Sequence, residues 1–194
     1  PLGALPSRFK RERLLIIGCG DVGQRVARIQ RHARVVALTS SPLRVAALRA
    51  QGVTPVVGNL DAPASLQRLA GWATRVLHLA PPPLQGSTDP RTLALTRVLM
   101  RRSAPRSVVY GSTSGVYGDC AGAWVDESRI VHPATSRAQR RVDAEARVRH
   151  LGRLRSGGIR VSVLRIPGIY APDREGGTPR ERLLRGTPVL ARED

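Results

Sequence analysis

Short runs of aliphatic and β-branched residues alternate with amphipathic stretches along most of the chain. Six of these runs predict buried strands: RLLIIG, RVVALT, VTPVVG, TRVLHLA, RSVVYGS and IRVSVLRI. Strands that alternate with helices predict βαβ units, and therefore a parallel sheet with helices on both faces. Because such crossovers are right-handed, the pattern favours an α/β protein with a doubly wound sheet in the strand order 3-2-1-4-5-6.

The stretches between the strands carry apolar residues at helical spacing. Val22, Val26 and Ile29 predict the inward face of the first helix, and Leu66 and Leu69 predict that of a short third helix. The second helix is predicted to begin with Ser41 as N-cap and Pro42 at its first position, and to end at Gly52. A later helix is predicted to begin at Asp89 with Pro90, and the segment 133–156 is predicted to be mostly helical.

The length of 194 residues, 41% of them apolar, predicts a single domain at 13–194 after a flexible basic leader at 1–12. No apolar run approaches the eighteen or so residues of a membrane span, and the first residues do not form a signal peptide. We therefore expect a soluble, cytoplasmic protein. Cys19 and Cys120 lie far apart without metal-ligand spacing, so neither a disulfide framework nor a metal site is predicted.

A formal net charge of +18 raises the question of nucleic-acid binding. The 32 basic residues are arginines except Lys10, and they are scattered over every segment of the chain. Aromatic residues make up only 3%, too few for a platform on which bases stack. The composition therefore favours solvated helix faces and disfavours nucleic acid as a partner.

Three glycines stand between the first predicted strand and the first predicted helix. Gly18, Gly20 and Gly23 form G-x-G-x-x-G, the pattern of a dinucleotide-binding turn. Gly18 permits the tight turn, Gly20 lets a pyrophosphate approach the backbone, and Gly23 lets the helix pack close to the sheet. We assign Asp21 and Val22 to the same site. The alternative is that these glycines only end a strand and begin a turn.

The end of the second strand indicates which dinucleotide would bind. An acidic residue here usually holds the ribose hydroxyls of NAD, but this chain has Thr39, Ser40 and a nearby Arg44. Hydroxyls and a guanidinium suit a 2′-phosphate, so NADP is preferred, with NAD as the second choice. The alternative is that Ser40 and Ser41 only cap the next helix. Asn59 and Asp61 could reach the adenine, although Asp61 could equally cap a helix.

Several further motifs carry a family resemblance. They are YGSTSGVYGD, WVDES, HP followed by RRVDAE, and LRIPGIYAP, together with GCGDVG and VLHLAPP. From Leu14 to about Pro172 the chain resembles the extended and atypical short-chain dehydrogenase/reductase superfamily, in particular its NAD(P)-dependent epimerase/dehydratase branch. The resemblance implies a Rossmann fold. It also implies an adenine contact at Asn59, cofactor contacts at Leu79, Ala80 and Pro81, a substrate hydrogen bond from Thr113, and a turn beside the nicotinamide at Pro167, Gly168 and Ile169.

The resemblance fails at the catalytic Tyr-x-x-x-Lys pair of that family. Arg137 stands in the place of the tyrosine and Arg141 in the place of the lysine. Arginine stays protonated at physiological pH, so Arg137 cannot act as the family's proton carrier. The two side chains, one helical turn apart, could clamp an anionic substrate or a cofactor phosphate, or simply belong to a solvated helix face.

Other proton carriers are weak candidates. Tyr117 lies at the correct end of the sheet, but packing in its turn is the favoured role. His132 is predicted to be a surface loop residue, and His78 is predicted to be a buried, hydrogen-bonded histidine.

Two functional hypotheses follow. The first is an oxidoreductase or isomerase acting on a nucleotide sugar or another carbonyl or hydroxyl substrate, with Thr113 polarising a substrate oxygen. The second is a non-catalytic NADP-binding sensor or partner subunit. The family usually continues into a C-terminal substrate-binding region, which we expect to be short or missing here, with 172–194 as its beginning. The family often forms homodimers through the helices predicted at 89–103 and 133–156.

Overall fold

The computed structural model describes residues 11–30, 32–154, 158–173 and 178–186. Six parallel strands form one sheet in the order β3-β2-β1-β4-β5-β6, which confirms the predicted doubly wound topology. The strands are β1 (Arg13–Ile17), β2 (Arg34–Thr39), β3 (Thr54–Val57), β4 (Arg75–His78), β5 (Ser107–Thr113) and β6 (Arg160–Ile166). Most of the predicted leader, 1–10, lies outside the described residues.

Helices follow the strands as the alternating pattern predicts. They are α1 (Asp21–Ile29), α2 (Arg44–Ala50), α3 (Pro90–Leu99), α4 (Ser136–Arg153) and α5 (Pro179–Leu184), with 3₁₀ helices at Pro63–Leu69 and Ser114–Tyr117. The Asp89 carboxylate caps α3 by accepting from the Thr92 amide, and Pro90 occupies its first position, as predicted. Among the described residues, no helix is both long and apolar enough to cross a lipid bilayer.

Two local predictions are wrong, and the predicted short third helix is of the 3₁₀ type. Helix α2 begins at Arg44 with Leu43 at its N-cap, so Ser41 and Pro42 do not start it. The Arg44 and Val45 amides donate to the carbonyl oxygens three residues earlier, so the segment before α2 is a turn. Ile29 ends α1 and is 73% exposed, and the segment with Leu66 and Leu69 is a 3₁₀ helix, although both leucines are buried as predicted.

The core has two layers because the central strand β1 is covered on both faces. Leu15 and Ile17 point into the larger cluster, and Leu14 and Ile16 point into the smaller one. The larger cluster also holds Leu66, Leu69, Leu95, Val98, Leu99, Val148 and Leu151, and the smaller one holds Leu48 and Val53. Alternate residues of one strand therefore tie both helical layers to the sheet.

His78 ends β4 inside the larger layer and is 1% exposed. Its Nε2 lies 2.8 Å from Thr92 Oγ1, whose own proton is donated to Asp89 Oδ2 at 2.7 Å. The Nε2 must therefore carry a hydrogen, which leaves Nδ1 unprotonated and without a hydrogen-bond partner. Burial, together with the charge of Arg141, lowers the pKa of His78 to about 3. His78 is thus a neutral core residue, as its pattern predicted.

We expect the His78→Gln variant to lose less stability on acidification than the parent protein. The folded-state pKa of His78, about 3, lies below the unfolded value near 6.5. The contribution of neutral His78 to the free energy of unfolding is therefore complete above pH 6.5 and is lost as pH falls toward 3. The loss approaches about 1.4 kcal/mol per pH unit in that window. Urea unfolding of both proteins at several pH values between 7 and 4 measures the gap in unfolding free energy. A gap that does not change with pH would contradict the assignment.

Candidate functional site: a groove at the carboxyl edge of the sheet

A groove follows the carboxyl ends of the strands, where doubly wound sheets bind their ligands. It consists of two cavities that meet at Gly18, one of about 270 Å³ above β2 and β3 and one of about 430 Å³ toward β5 and β6. The first is called the adenosine cavity below, and the second the nicotinamide cavity, after the halves of the ligand predicted from the sequence. A third cavity of about 800 Å³ adjoins the second and shares Ile166 and Pro167 with it.

The glycine turn between β1 and α1 is shaped as the motif predicts. Gly18 has φ +85°, and a Cβ there would lie 2.4 Å from the amide nitrogen of Ala80. A Cβ on Gly23 would lie 3.2 Å from the Gly18 carbonyl oxygen and from an Ile16 methyl group, so α1 packs closely on the sheet. Gly20, in contrast, faces open space, with no atom within 4 Å of a Cβ built on it.

The N-terminus of α1 opens onto that space. Gly20 is the N-cap, and no side chain caps the helix. Backbone amides at a helix N-terminus and its positive dipole end attract phosphate, and the absence of a Cβ at Gly20 allows close approach. The residues present therefore fit a dinucleotide pyrophosphate, with Gly18, Gly20, Asp21, Val22 and Gly23 all lining the nicotinamide cavity.

The adenosine cavity contains the residues predicted for that half of the ligand except Asp61. Thr39, Ser40, Arg44, Asn59, Ala80 and Pro81 line it, joined by Ser41, Gly58, Leu60 and Arg91. Arg44 Nη2 donates to the carbonyl oxygen of Cys19 at 2.6 Å, which fixes its guanidinium beside the glycine turn. The cavity thus presents hydroxyl groups and two guanidinium groups.

Arg91 is a lining residue that the sequence analysis missed. It donates from Nε and Nη2 to both Asp61 carboxylate oxygens, at 2.7 and 2.6 Å, and from Nη1 to the carbonyl oxygen of Pro81 at 3.3 Å. The hydrogen bonds from Arg91 lower the pKa of Asp61. Asp61 therefore neither lines the cavity nor caps the 3₁₀ helix, whose N-cap is Ala62. The two residues are thirty positions apart, so only folding brings them together.

The nicotinamide cavity brings together residues from four strand ends and from α4. Of the predicted residues, Leu79, Thr113, Pro167, Gly168 and Ile169 line it, together with Gly111, Ser112, Ile166, Arg137 and Arg141. Thr113 Oγ1 accepts from the amide of Gly115 at 3.3 Å, which leaves the hydroxyl proton of Thr113 available to a ligand oxygen.

The two arginines of α4 occupy different environments. Arg137 is exposed at the cavity wall, and no contact with another described residue is recorded for it. Arg141 is only 8% exposed, so the solvated-face interpretation is wrong for it. Its Nη1 donates to the Tyr110 hydroxyl at 2.9 Å and to the Gly111 carbonyl oxygen at 2.8 Å, while its Nε has no partner among the described residues.

The tyrosines near the groove are occupied with structural contacts. Tyr110 is fully buried, and burial raises its pKa to about 12, which removes it as a proton carrier near neutral pH. The Tyr117 hydroxyl donates to the Asp126 carbonyl oxygen at 3.1 Å and accepts from Arg165 Nη1 at 2.8 Å. Its ring lies 4.7 Å from the Arg165 guanidinium carbon, the packing role favoured by the sequence. His132 is exposed, as predicted.

Glu145 is a second residue that the sequence analysis missed. This fully buried carboxylate of α4 accepts from Ser112 Oγ at 2.6 Å and pairs with Arg165 Nη2 and Arg149 Nη2, both at 2.9 Å. Burial by itself raises the pKa of Glu145, but the hydrogen bonds from Arg165 and Ser112 outweigh it and the net shift is downward. Glu145 therefore stays charged and, through Arg165, holds Tyr117 against the sheet.

Comparisons with known proteins agree with this geometry. Residues 14–77 match the TrkA-N domain, a Rossmann NAD(P)-binding domain. Among solved structures, a functionally unknown conserved protein from Silicibacter pomeroyi is 30% identical with a TM-score of 0.66, over 84% of this chain and 56% of that one. A search of the curated proteins finds no match.

Two further structures connect the fold to bound cofactor. A short-chain dehydrogenase/reductase superfamily protein from Agrobacterium tumefaciens, with bound NAD, is 21% identical with a TM-score of 0.63, over 79% of this chain and 48% of that one. UDP-glucuronic acid 4-epimerase from Bacillus cereus, in complex with UDP-glucuronic acid and NAD, is 19% identical with a TM-score of 0.68, over 91% and 64%. These likenesses confirm the predicted Rossmann fold, and this chain spans less than two thirds of the length of these structures.

The glycine turn gives a paired prediction. Gly20→Ala keeps an ordinary φ of −78° and open surroundings, so its unfolding free energy should change by no more than about 1 kcal/mol while dinucleotide binding weakens at least about tenfold. Gly18→Ala forces a Cβ into the Ala80 backbone at positive φ and should cost more than about 2 kcal/mol. Urea unfolding and calorimetric titration with NADPH separate the two effects. Undiminished binding by Gly20→Ala would contradict the assigned phosphate position.

Proposed function

We propose that this chain is an NADP(H)-binding protein of the epimerase/dehydratase type within the short-chain dehydrogenase/reductase superfamily. The observation that carries the proposal is the open surface over Gly20 at the uncapped N-terminus of α1, between two cavities that suit the two halves of a dinucleotide. The pyrophosphate would be held by the glycine turn, and the adenosine by Thr39, Ser40, Arg44 and Asn59.

The preference for NADP(H) over NAD(H) rests on charge in the adenosine cavity. Arg44 and Arg91 both line it, and no carboxylate does so within the part of the chain that the structure describes. A ribose 2′-phosphate would meet the Arg44 guanidinium and the hydroxyls of Thr39 and Ser40, while the charge of Arg91 is paired with Asp61. Arg44 is already held in place by the Cys19 carbonyl oxygen, so little side-chain ordering is required on binding.

The cofactor preference is tested on two arginines of α2. We expect the parent protein to bind NADPH at least about tenfold more tightly than NADH, and Arg44→Ala to weaken NADPH binding by a similar factor while leaving NADH binding nearly unchanged. Arg49→Ala is the matched control, because Arg49 is exposed on the same helix and does not line the cavity. Calorimetric titration measures each affinity. Equal affinities for NADPH and NADH would contradict the preference, and the absence of binding by either would contradict the function itself.

The chemistry of such a protein would be hydride transfer, for which a bound nicotinamide supplies the donor or acceptor carbon. The substrate would be a nucleotide sugar or another compound with a carbonyl or hydroxyl group. The Thr113 hydroxyl would donate to its reacting oxygen, because its proton is not used in the hydrogen bond that it accepts from Gly115. The cavity of about 800 Å³ that begins at Ser114 and joins the nicotinamide cavity at Pro167 offers the space for the rest of the substrate.

A second candidate function is a non-catalytic NADP(H)-binding sensor or partner subunit. It is favoured by the loss of the family's proton carriers: Arg137 and Arg141 stand in their places, Tyr110 is buried, and the Tyr117 hydroxyl is bound to Arg165 and Asp126. None of these residues can exchange a proton with a substrate as the family's tyrosine does.

Turnover separates the two candidates. Under the catalytic proposal, Thr113→Val should lower kcat by about a hundredfold with nucleotide sugars or simple carbonyl substrates, while NADPH affinity stays within about twofold of the parent value. Ser162→Ala is the control, because Ser162 is exposed and lines none of the three cavities. NADPH binding without turnover of any substrate, in a protein that includes every residue of its reading frame, would favour the sensor.

The predicted homodimer, the domain limits and the cytoplasmic location stay predictions.

A further inference from the structure

The nicotinamide cavity carries an excess of positive charge. Three charged residues line it: Arg137, Arg141 and Asp21. The Asp21 carboxylate is paired with Arg25 Nε at 3.0 Å on the same helix, and Arg25 Nη2 also pairs with Asp173 at 2.9 Å. The two arginines outnumber the single carboxylate of the lining, so the net charge of the lining residues is positive.

Neither arginine is neutralised by a carboxylate in the described structure. The recorded partners of Arg141 are the Tyr110 hydroxyl and the Gly111 carbonyl oxygen, both uncharged. Two buried carboxylates make no hydrogen bond to Arg141: Glu145 pairs with Arg165 and Arg149, and Asp89 accepts from the amide and the hydroxyl of Thr92. Because Arg141 is buried, its charge is screened less than a surface charge would be.

The position of the two arginines along the groove indicates which part of the ligand lies beside them. If the adenosine half of NADP(H) lies over β2 and β3 and the pyrophosphate over Gly20, the nicotinamide half must lie on the other side of Gly18, in the cavity lined by both arginines. The nicotinamide ring carries a positive charge only when it is oxidised, whereas the phosphates and the adenosine are the same in both forms.

We propose that the nicotinamide cavity selects the reduced cofactor, so that this protein binds NADPH more tightly than NADP⁺. Arg137 and Arg141 repel the oxidised ring and leave the neutral reduced ring unaffected. Arginine remains charged at every physiological pH, so the selection does not depend on pH. This inference rests on the proposed function, and it gives the groove a regulatory consequence: occupancy follows the ratio of NADPH to NADP⁺, as a sensor of the cofactor state requires.

The test compares the affinities of the two cofactor forms in charge-matched variants. For the parent protein we expect NADPH to bind at least about tenfold more tightly than NADP⁺, because the buried charge of Arg141 and the exposed charge of Arg137 both repel the oxidised ring. Arg137→Gln should reduce this ratio several-fold by strengthening NADP⁺ binding. Arg137→Lys keeps the charge and should keep the ratio. Arg137 is exposed and makes no recorded contact, so both variants are expected to fold as the parent does.

Calorimetric titration with NADPH and with NADP⁺, at low and at raised salt, provides the readout without any requirement for turnover. Equal affinities of the parent protein for the two forms would overturn the inference and leave the proposed function intact. The role of Arg137 would also be overturned if the ratio of NADPH to NADP⁺ affinity stayed unchanged in Arg137→Gln and in the double variant that combines Arg137→Gln with Arg141→Lys. Binding of neither form would overturn the proposed function and this inference with it.

Discussion

The close approach of the Gly18 backbone to Ala80 is the contact on which the groove depends. At this point β1 ends, the chain turns into α1, and the end of β4 passes so near that a single Cβ would overlap the Ala80 backbone. The contact joins the two halves of the sheet where the strand order reverses from β1 to β4. It also brings α1 down onto the sheet, so that its N-terminus faces the space above Gly20. Both cavities open from this one turn, and Gly18 lines both of them.

Charge distinguishes the two ends of the groove. At the adenosine end, Arg44 is anchored by a backbone carbonyl oxygen and Arg91 by a bidentate pair with Asp61, so both guanidinium groups of the cavity wall are held in place. At the nicotinamide end, Arg137 has no recorded partner and Arg141 has only neutral ones. The arginines of this one groove therefore differ in the partners that hold them, a difference that the net charge of +18 does not reveal.

Replacement of a proton-transferring pair by arginines has consequences for the neighbouring packing. Arg141 donates to the Tyr110 hydroxyl, and this buried tyrosine packs 5.1 Å from the His78 ring. One turn further along the same face of α4, Glu145 accepts from Ser112 and pairs with Arg149 and Arg165, and Arg165 donates to Tyr117. These polar groups satisfy one another inside the protein, and few of them are left to act on a ligand. Thr113 is the exception, since its hydroxyl proton remains available.

The sequence by itself determined the order of the strands, the parallel sheet and the residues of the glycine turn. Hydrophobic periodicity and glycine chemistry are local properties, so they can be read without knowing which segments meet. It also placed Thr39, Arg44, Asn59 and Pro167 in one groove, because the carboxyl ends of parallel strands share an edge. Only the tertiary structure decided the roles of Arg91, Arg141 and Glu145. Their partners lie twenty to thirty-one residues away, as in the pairs Arg91 with Asp61, Arg141 with Tyr110 and Glu145 with Arg165. Whether such a side chain is buried, neutralised or left charged depends on contacts that no local pattern encodes.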